Sequence, residues 1–130
     1  MTWNVSEIVA QYGQDIGERI FAYALRAFSL YQHVCSLNIA GAEIAAKQFL
    51  RSATSIGANY EEAQSAESRR DFIHKLRIAQ KEARESRYWL RFMRGAEIVN
   101  KDRTEDIYRE ADEILRVLSK IIVNTEKKSG

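Results

Sequence analysis

Four long stretches of this 130-residue chain repeat apolar residues at intervals of three and four, and no proline interrupts them. Such spacing places the apolar side chains on one face of an α-helix. Helix interiors exclude proline, whereas strand-rich folds use it in turns. We therefore predict an all-α protein, an antiparallel up-down-up-down four-helix bundle that forms one domain over residues 1–130. The predicted helices cover about residues 14–37, 42–64, 69–96 and 102–127.

The residues between these stretches predict short connections. Asn38–Gly41 forms the first break, because Asn and Gly end helices well. Ser68 is suited to cap the third helix, with Asp71 three residues later. Acidic residues from Asp102 onward favour a helix start there, where they complement the helix dipole. Residues 1–13 are predicted to form a loose lead-in with a short helical turn at 6–11.

The composition says more about the cellular location of the protein than about its function. The formal net charge of +2 argues neither for nor against nucleic acid. The one cysteine, Cys35, cannot form an internal disulfide, which favours a reduced, cytoplasmic setting. No apolar run approaches the roughly 20 residues needed to span a bilayer. We predict a cytoplasmic protein that has no membrane partner.

The sequence has no recognisable catalytic or metal-binding motif. Di-iron bundles need Glu-x-x-His pairs on two helices, but the chain has only His33 and His74, and neither follows a Glu at that spacing. No Gly-rich phosphate loop and no signature joining a nucleophile to a base are present. We predict a non-enzyme with no cofactor, no metal and no catalytic residue. The rival hypothesis is an enzyme that uses Glu62, Glu82 or Glu85 as an acid or base.

The third helix carries more apolar surface than one bundle core requires. One stripe, from Phe72 to Met93, has the spacing of a core face. A second stripe, about a third of a turn away, runs through Ile78, Glu82, Glu85, Trp89 and Phe92. Surface beyond the needs of the core suits contacts between subunits, so we predict a homo-oligomer.

Polar residues interrupt the faces of the second and third helices that should be buried. A carboxylate on a partly apolar stripe must be paired or will take up a proton. Arg51 is the natural partner for Glu82 or Glu85, because its planar fork matches a carboxylate. We predict a buried polar network or a subunit joint. Its members are Arg51, Ser55, Asn59, Glu62, Glu82, Glu85 and Trp89.

The third helix is also strongly basic. Residues 69–94 contain nine Lys or Arg and three acids, a local net charge of +6. Four arginines follow one another at seven-residue spacing, and such a stripe can bind phosphates. The predicted nucleic-acid-binding residues are Arg70, Arg77, Lys81, Arg84 and Arg91. The alternative is a solvated face, or one neutralised by residues 97–113, which contain seven acids and three basic residues.

The run from Arg51 to Ala63 resembles the signature of the four helix bundle protein family, also called the 23S ribosomal RNA intervening-sequence proteins. That signature is approximately R-x-A-x-S-I-x-x-N-x-x-E-G, and Ala63 stands where the last Gly is usual. The matching residues are Arg51, Ala53, Ser55, Ile56, Asn59 and Glu62. Residues 71–79 and 82–90 resemble later blocks of the family, so the resemblance covers about residues 15–122.

The resemblance implies an antiparallel four-helix bundle that assembles into a ring, usually a homopentamer. Most members have no assigned biochemical role. A related group, the accessory variability determinant proteins, forms basic barrels that bind nucleic acid and a reverse transcriptase. The expected partners are therefore further copies of this chain and RNA, DNA or a nucleic-acid-handling protein. The alternative is a protein-interaction scaffold that does not bind nucleic acid.

Overall fold

The computed structural model describes residues 15–127, and these residues form four α-helices with no β-strand among them. The prediction of an all-α protein with four helices is confirmed. The predicted lead-in at residues 1–13 lies outside the described residues. The helices are α1 Asp15–Ser36, α2 Ala42–Gln64, α3 Arg69–Gly95 and α4 Glu105–Lys127. None of these helices is both long and apolar enough to cross a lipid bilayer.

Helices α2 and α3 make the most extensive helix–helix contact of the bundle. Both contribute small, fully buried side chains: Ala46, Ser52 and Ala53 on α2, and Ala79 and Ala83 on α3. Small residues let two helix backbones approach closely, so these positions leave little room for larger side chains. Both helices therefore bury small side chains as well as large ones.

Tyr23 connects three helices from the middle of α1. Its side chain is fully buried, and its ring meets Phe49 of α2 edge to face with 6.2 Å between the ring centres. The Ser86 hydroxyl of α3 donates to the carbonyl of Ala83 at 3.0 Å and lies 2.9 Å from the Tyr23 hydroxyl. Since the Ser86 hydrogen is already engaged, Tyr23 is the donor to Ser86. Burial raises the pKa of Tyr23, which keeps the phenol protonated as a donor.

The helix boundaries follow local hydrogen bonds. Helix α2 begins after Gly41, whose φ of 82° is left-handed and suits glycine. The Ser68 hydroxyl accepts a hydrogen bond from the Asp71 backbone at 3.0 Å, so the predicted cap of α3 is confirmed. The expected start of α4 at Asp102 is wrong. Asn100 Oδ1 accepts the backbone N–H of Arg103, which holds these residues in turns until Glu105.

One large apolar residue of α1 does not face the core. Phe28 belongs to the apolar repeat of this helix, but it is 49% exposed. The core side of α1 is filled by residues such as Ile20, Tyr23 and Ala27. Phe28 follows Ala27 by one residue and therefore by about 100° around the helix, which turns it away from the core.

Polar side chains join α3 to α4 along the length of both helices. Arg94 bonds Glu105 at 2.7 Å, and Arg87 bonds Asp112 at 2.7 Å. Gln80 donates to Ser119 at 3.0 Å, and Arg77 pairs with Glu126. The hydrogen bond from Arg94 lowers the pKa of Glu105, and Arg109 adds to this effect. Protonation of Glu105 should therefore weaken the contact between α3 and α4.

We predict that the small side chain of Ala53 is required for the packing of α2. Ala53→Leu should lower the free energy of unfolding by about 1–3 kcal/mol, because the added methylenes have no space. The control is Ala58→Leu on the exposed side of the same helix, with an expected change within about 0.5 kcal/mol. Urea unfolding followed by circular dichroism measures both. Equal stability of the two variants would contradict close packing at Ala53.

We predict that Glu105 contributes to acid sensitivity. Its pKa is lowered from an ordinary value of 4.5, so its stabilising effect is complete above that pH and is lost as the pH falls through the folded-state pKa. Glu105→Gln should therefore flatten the fall in melting temperature below pH 4.5. The control is Glu113→Gln, an exposed carboxylate on α4 that makes no ion pair within residues 15–127. An unaltered acid profile in Glu105→Gln would refute the assignment.

Candidate functional site

Arg51 of α2 reaches across to two carboxylates of α3. Its Nη1 donates to Oε2 of Glu82 at 3.2 Å, and its Nη2 donates to Oε2 of Glu85. Its Nε donates to Gln48 of its own helix at 3.3 Å. The carboxylates lie three residues apart, so nearly one helical turn brings both toward the same guanidinium. The predicted pairing of Arg51 with a carboxylate of α3 is present, and it includes both Glu82 and Glu85.

Trp89 completes this contact, which we call the Arg51 cluster: Arg51, Glu82, Glu85 and Trp89. The indole Nε1 lies 3.4 Å from Oε2 of Glu85, the same oxygen that faces Arg51. The side chain of Arg51 is 48% exposed, whereas that of Glu82 is 12% exposed. The cluster therefore occupies the edge of the α2–α3 contact, with its carboxylates turned inward and its cation turned outward.

Opposite charges control the ionisation of Arg51. Burial by itself lowers the pKa of the guanidinium, but hydrogen bonds and charges from Glu85 and Glu82 outweigh it and raise that pKa. One oxygen of each carboxylate is already occupied by Arg51. A residue that transfers protons needs access to its substrate at those oxygens. The geometry therefore resembles a structural contact more than an acid–base pair.

The other predicted members of the network do not join the Arg51 cluster. Asn59 donates to the backbone carbonyl of Ser55 at 2.8 Å, a bond within α2 itself. Glu62 is exposed, and it lies eleven residues from Arg51, about 16 Å along the helix. The prediction that Glu62 belongs to a buried polar network within one chain is therefore wrong. Its alternative role in a subunit joint stays a prediction, as it does for Ser55 and Asn59.

The predicted phosphate-binding residues form a continuous surface on α3, which we call the basic face: Arg70, Arg77, Lys81, Arg84 and Arg91. All five are exposed. Arg77 pairs with Glu126 of α4. Within residues 15–127, the other four make no ion pair with an acidic side chain. Most of the positive charge of this surface is therefore not neutralised by the described part of the chain.

The acidic fourth helix neutralises a different side of α3. Asp112 pairs with Arg87, and Glu105 pairs with Arg94, neither of which belongs to the basic face. The guanidinium of Arg94 also lies 4.5 Å from the centre of the Tyr108 ring. Among the five residues of the basic face, only Arg77 is therefore neutralised by an acidic side chain of residues 15–127.

Sequence reasoning missed an apolar surface on α1. Phe21, Leu25 and Phe28 are all about half exposed or more, and they lie on one side of the helix. The signal was their spacing of four and three residues, which repeats beside the core stripe. A second exposed aromatic region on α3 contains Tyr88 and Phe92, both in contact with Trp89. Exposed apolar patches of this kind mark interaction surfaces.

A metal centre is not indicated in the described part of the chain. Residues 15–127 contain no group of three His, Cys, Asp or Glu side chains placed to hold an ion.

We predict that Arg51 stabilises the inward-facing carboxylates. Arg51→Met should lower the free energy of unfolding by about 1 kcal/mol, because it leaves Glu82 largely buried without its partner. Adding Glu82→Gln should restore part of the loss, since the uncompensated charge is then removed. Arg116→Met serves as the control because Arg116 pairs with Asp112 within one helix and its side chain is 73% exposed. A loss no larger than that of the control, or no recovery in the double variant, would contradict this role.

Comparison with known proteins supports the resemblance found in the sequence. The family model described as 23S rRNA-intervening sequence protein matches residues 18–120. A crystal structure of a protein with unknown function from the S23 ribosomal protein family of Bacteroides thetaiotaomicron is 38% identical, with a TM-score of 0.75. The match covers 82% of this chain and 97% of that one. No curated protein sequence matches. The chain belongs to the family of 23S rRNA-intervening sequence proteins.

Proposed function

We propose that this protein is a non-enzymatic, cytoplasmic scaffold that assembles into a homo-oligomeric ring and binds nucleic acid through the basic face of α3. The observation that carries the proposal is that Arg70, Lys81, Arg84 and Arg91 are exposed and make no ion pair with an acidic side chain of residues 15–127. Unpaired cations along one helix attract polyanions, and counterion release favours the binding of phosphates.

The dimensions of the basic face support a polymeric ligand. From Arg70 to Arg91 it extends over about 31 Å of helix, since each residue adds about 1.5 Å. A small anion would engage one or two of these cations, whereas a nucleic acid can engage the whole row. The matching family is named for 23S rRNA, and RNA is therefore the first nucleic acid to test.

The proposal includes an antiparallel bundle. Its support is the order of the contacts between α3 and α4, because Gln80 meets Ser119, Arg87 meets Asp112 and Arg94 meets Glu105. Residue numbers rise along one helix as they fall along the other, as expected of neighbours that run in opposite directions. Short connections between sequential helices agree with this arrangement.

Self-assembly is supported by two different apolar surfaces on one chain. The first is Phe21, Leu25 and Phe28 on α1, and the second is Phe92 of α3, which packs against Trp89 of the Arg51 cluster. A head-to-tail contact joins unlike surfaces, and it closes into a ring when the rotation between subunits allows. We propose that these two surfaces meet, with five subunits as the expected number from the family resemblance.

The rival function is a protein-interaction scaffold that binds no nucleic acid. The exposed α1 surface favours it, because an apolar stripe can bind a partner helix as well as another subunit. The two functions differ in their response to salt. Phosphate binding weakens steeply as salt rises, whereas an apolar contact does not.

We predict salt-dependent RNA binding through α3. A fluorescein-labelled RNA of random sequence should bind at 50 mM salt and dissociate toward 200 mM. The double variant Arg84→Gln/Arg91→Gln should reduce the slope of log K against log salt by about 1.4, since each phosphate contact of a single strand contributes about 0.7. Fluorescence anisotropy measures the slope.

The matched control for charge is Arg109→Gln/Arg116→Gln, which removes two exposed arginines from α4. Its salt slope should equal that of the wild-type protein. Absence of binding at 50 mM salt would exclude the nucleic-acid function and favour the protein-interaction scaffold. An equal effect of both double variants would contradict a specific role for the basic face.

We predict an oligomer that depends on the α1 surface. Light scattering should give the wild-type protein a mass of five times the 15.0 kDa chain. Phe21→Ser/Phe28→Ser should lower that mass, because the variant removes the two exposed aromatic rings that are proposed to contact the next subunit. Val123→Ser, at another exposed apolar position, should leave it unchanged. A wild-type monomer at high concentration would overturn the proposed ring.

A further inference from the structure

We propose that the basic face binds single-stranded rather than double-stranded nucleic acid, with the ring of Tyr88 stacking on an unpaired base. This inference rests on the proposed function and specifies its ligand. It is carried by the position and exposure of one aromatic side chain among cations that make no ion pair within residues 15–127.

Tyr88 lies within the basic face itself. It follows Arg84 by four residues and precedes Arg91 by three, so both arginines are its neighbours on the helix surface. Its side chain is 53% exposed, although large apolar rings are usually more buried. Neither arginine makes an ion pair with a side chain of residues 15–127. The ring is therefore flanked by two cations that are available for phosphates.

Packing at one side limits the movement of the ring. The centre of the Tyr88 ring lies 5.1 Å from that of Trp89, with 74° between the ring planes. Trp89 is in turn held by Glu85 of the Arg51 cluster and by contact with Phe92. A ring that is already positioned loses little conformational freedom when a base stacks on it. The α2–α3 contact thus supports a stacking platform.

The two forms of nucleic acid would use this surface differently. Both forms present phosphates, and the flanking arginines lie about 10 Å apart along the helix. In a duplex the bases are stacked on one another and paired, so their faces are closed to Tyr88. A single strand presents phosphates and base faces together, which is the combination that aromatic side chains in a basic groove recognise. The exposed ring adds affinity for the single strand alone.

The test compares two RNAs by fluorescence anisotropy. One is a fluorescein-labelled adenine oligonucleotide of about 12 nucleotides, a length within the site sizes of single-strand binders. The other is a duplex with the same number of phosphates. The variants are Tyr88→Ala, Tyr88→Phe, which keeps the ring, and Tyr88→Leu, which keeps apolar bulk without a ring. Light scattering of every variant reports whether the assembly is unchanged.

We expect Tyr88→Ala and Tyr88→Leu to weaken binding of the single strand by about fivefold to one hundredfold, with Tyr88→Phe within about twofold of wild type. Duplex affinity and particle mass should not change. Equal losses for both RNAs, no loss for the single strand, or a reduced mass in Tyr88→Leu would overturn the stacking role. Failure of the wild-type protein to bind either RNA at low salt would instead overturn the proposed function, and this inference with it.

Discussion

Close packing of α2 on α3 is the constraint on which the other features depend. Both helices bury small side chains, such as Ser52 of α2 and Ala83 of α3, and small side chains allow helices to approach closely. At that separation the guanidinium of Arg51 reaches Glu82 and Glu85, and Glu85 in turn contacts the indole of Trp89. Larger side chains between the helices would separate the charges. The same contact therefore provides core packing and places polar groups at its edge.

The fourth helix neutralises the positive charge on one side of α3 and leaves the other side charged. Its acids pair with Arg87 and Arg94, which face it, and with Arg77 at the border. Arg84 and Arg91 lie beyond the reach of those acids and keep their charge. An ion pair that is half exposed contributes little to stability, so neutralisation matters here mainly for where positive potential remains. The uncompensated side is the one on which Tyr88 is exposed.

Most of the helical architecture was predictable because it depends on local signals. The apolar periodicity of each helix, the break at Asn38–Gly41 and the cap at Ser68 are encoded within a few residues. Errors arose where two local signals competed. At the start of α4, the acids favoured Asp102, but the Asn100 side chain accepts the backbone N–H of Arg103, and the helix begins only at Glu105. On α1, two apolar stripes lie side by side, and residue spacing alone does not show that the one containing Phe28 is exposed.

The candidate site was predictable in its residue types but not in its grouping. Arg51 and its carboxylates were identified because an inward-facing acid needs a partner. Glu62 shares a helix face with Arg51, but this does not bring the two side chains together. A helix face extends over many turns, and two residues three turns apart cannot share one hydrogen bond.

By itself, the amino-acid sequence determined the four helices and the family, and it also determined the excess of positive charge on α3, because all of these are properties of neighbouring residues. Only the tertiary structure decided which arginines are neutralised, which carboxylates meet Arg51 and which rings remain exposed. These depend on the distances between residues far apart in the chain, and such distances exist only once the helices have packed together.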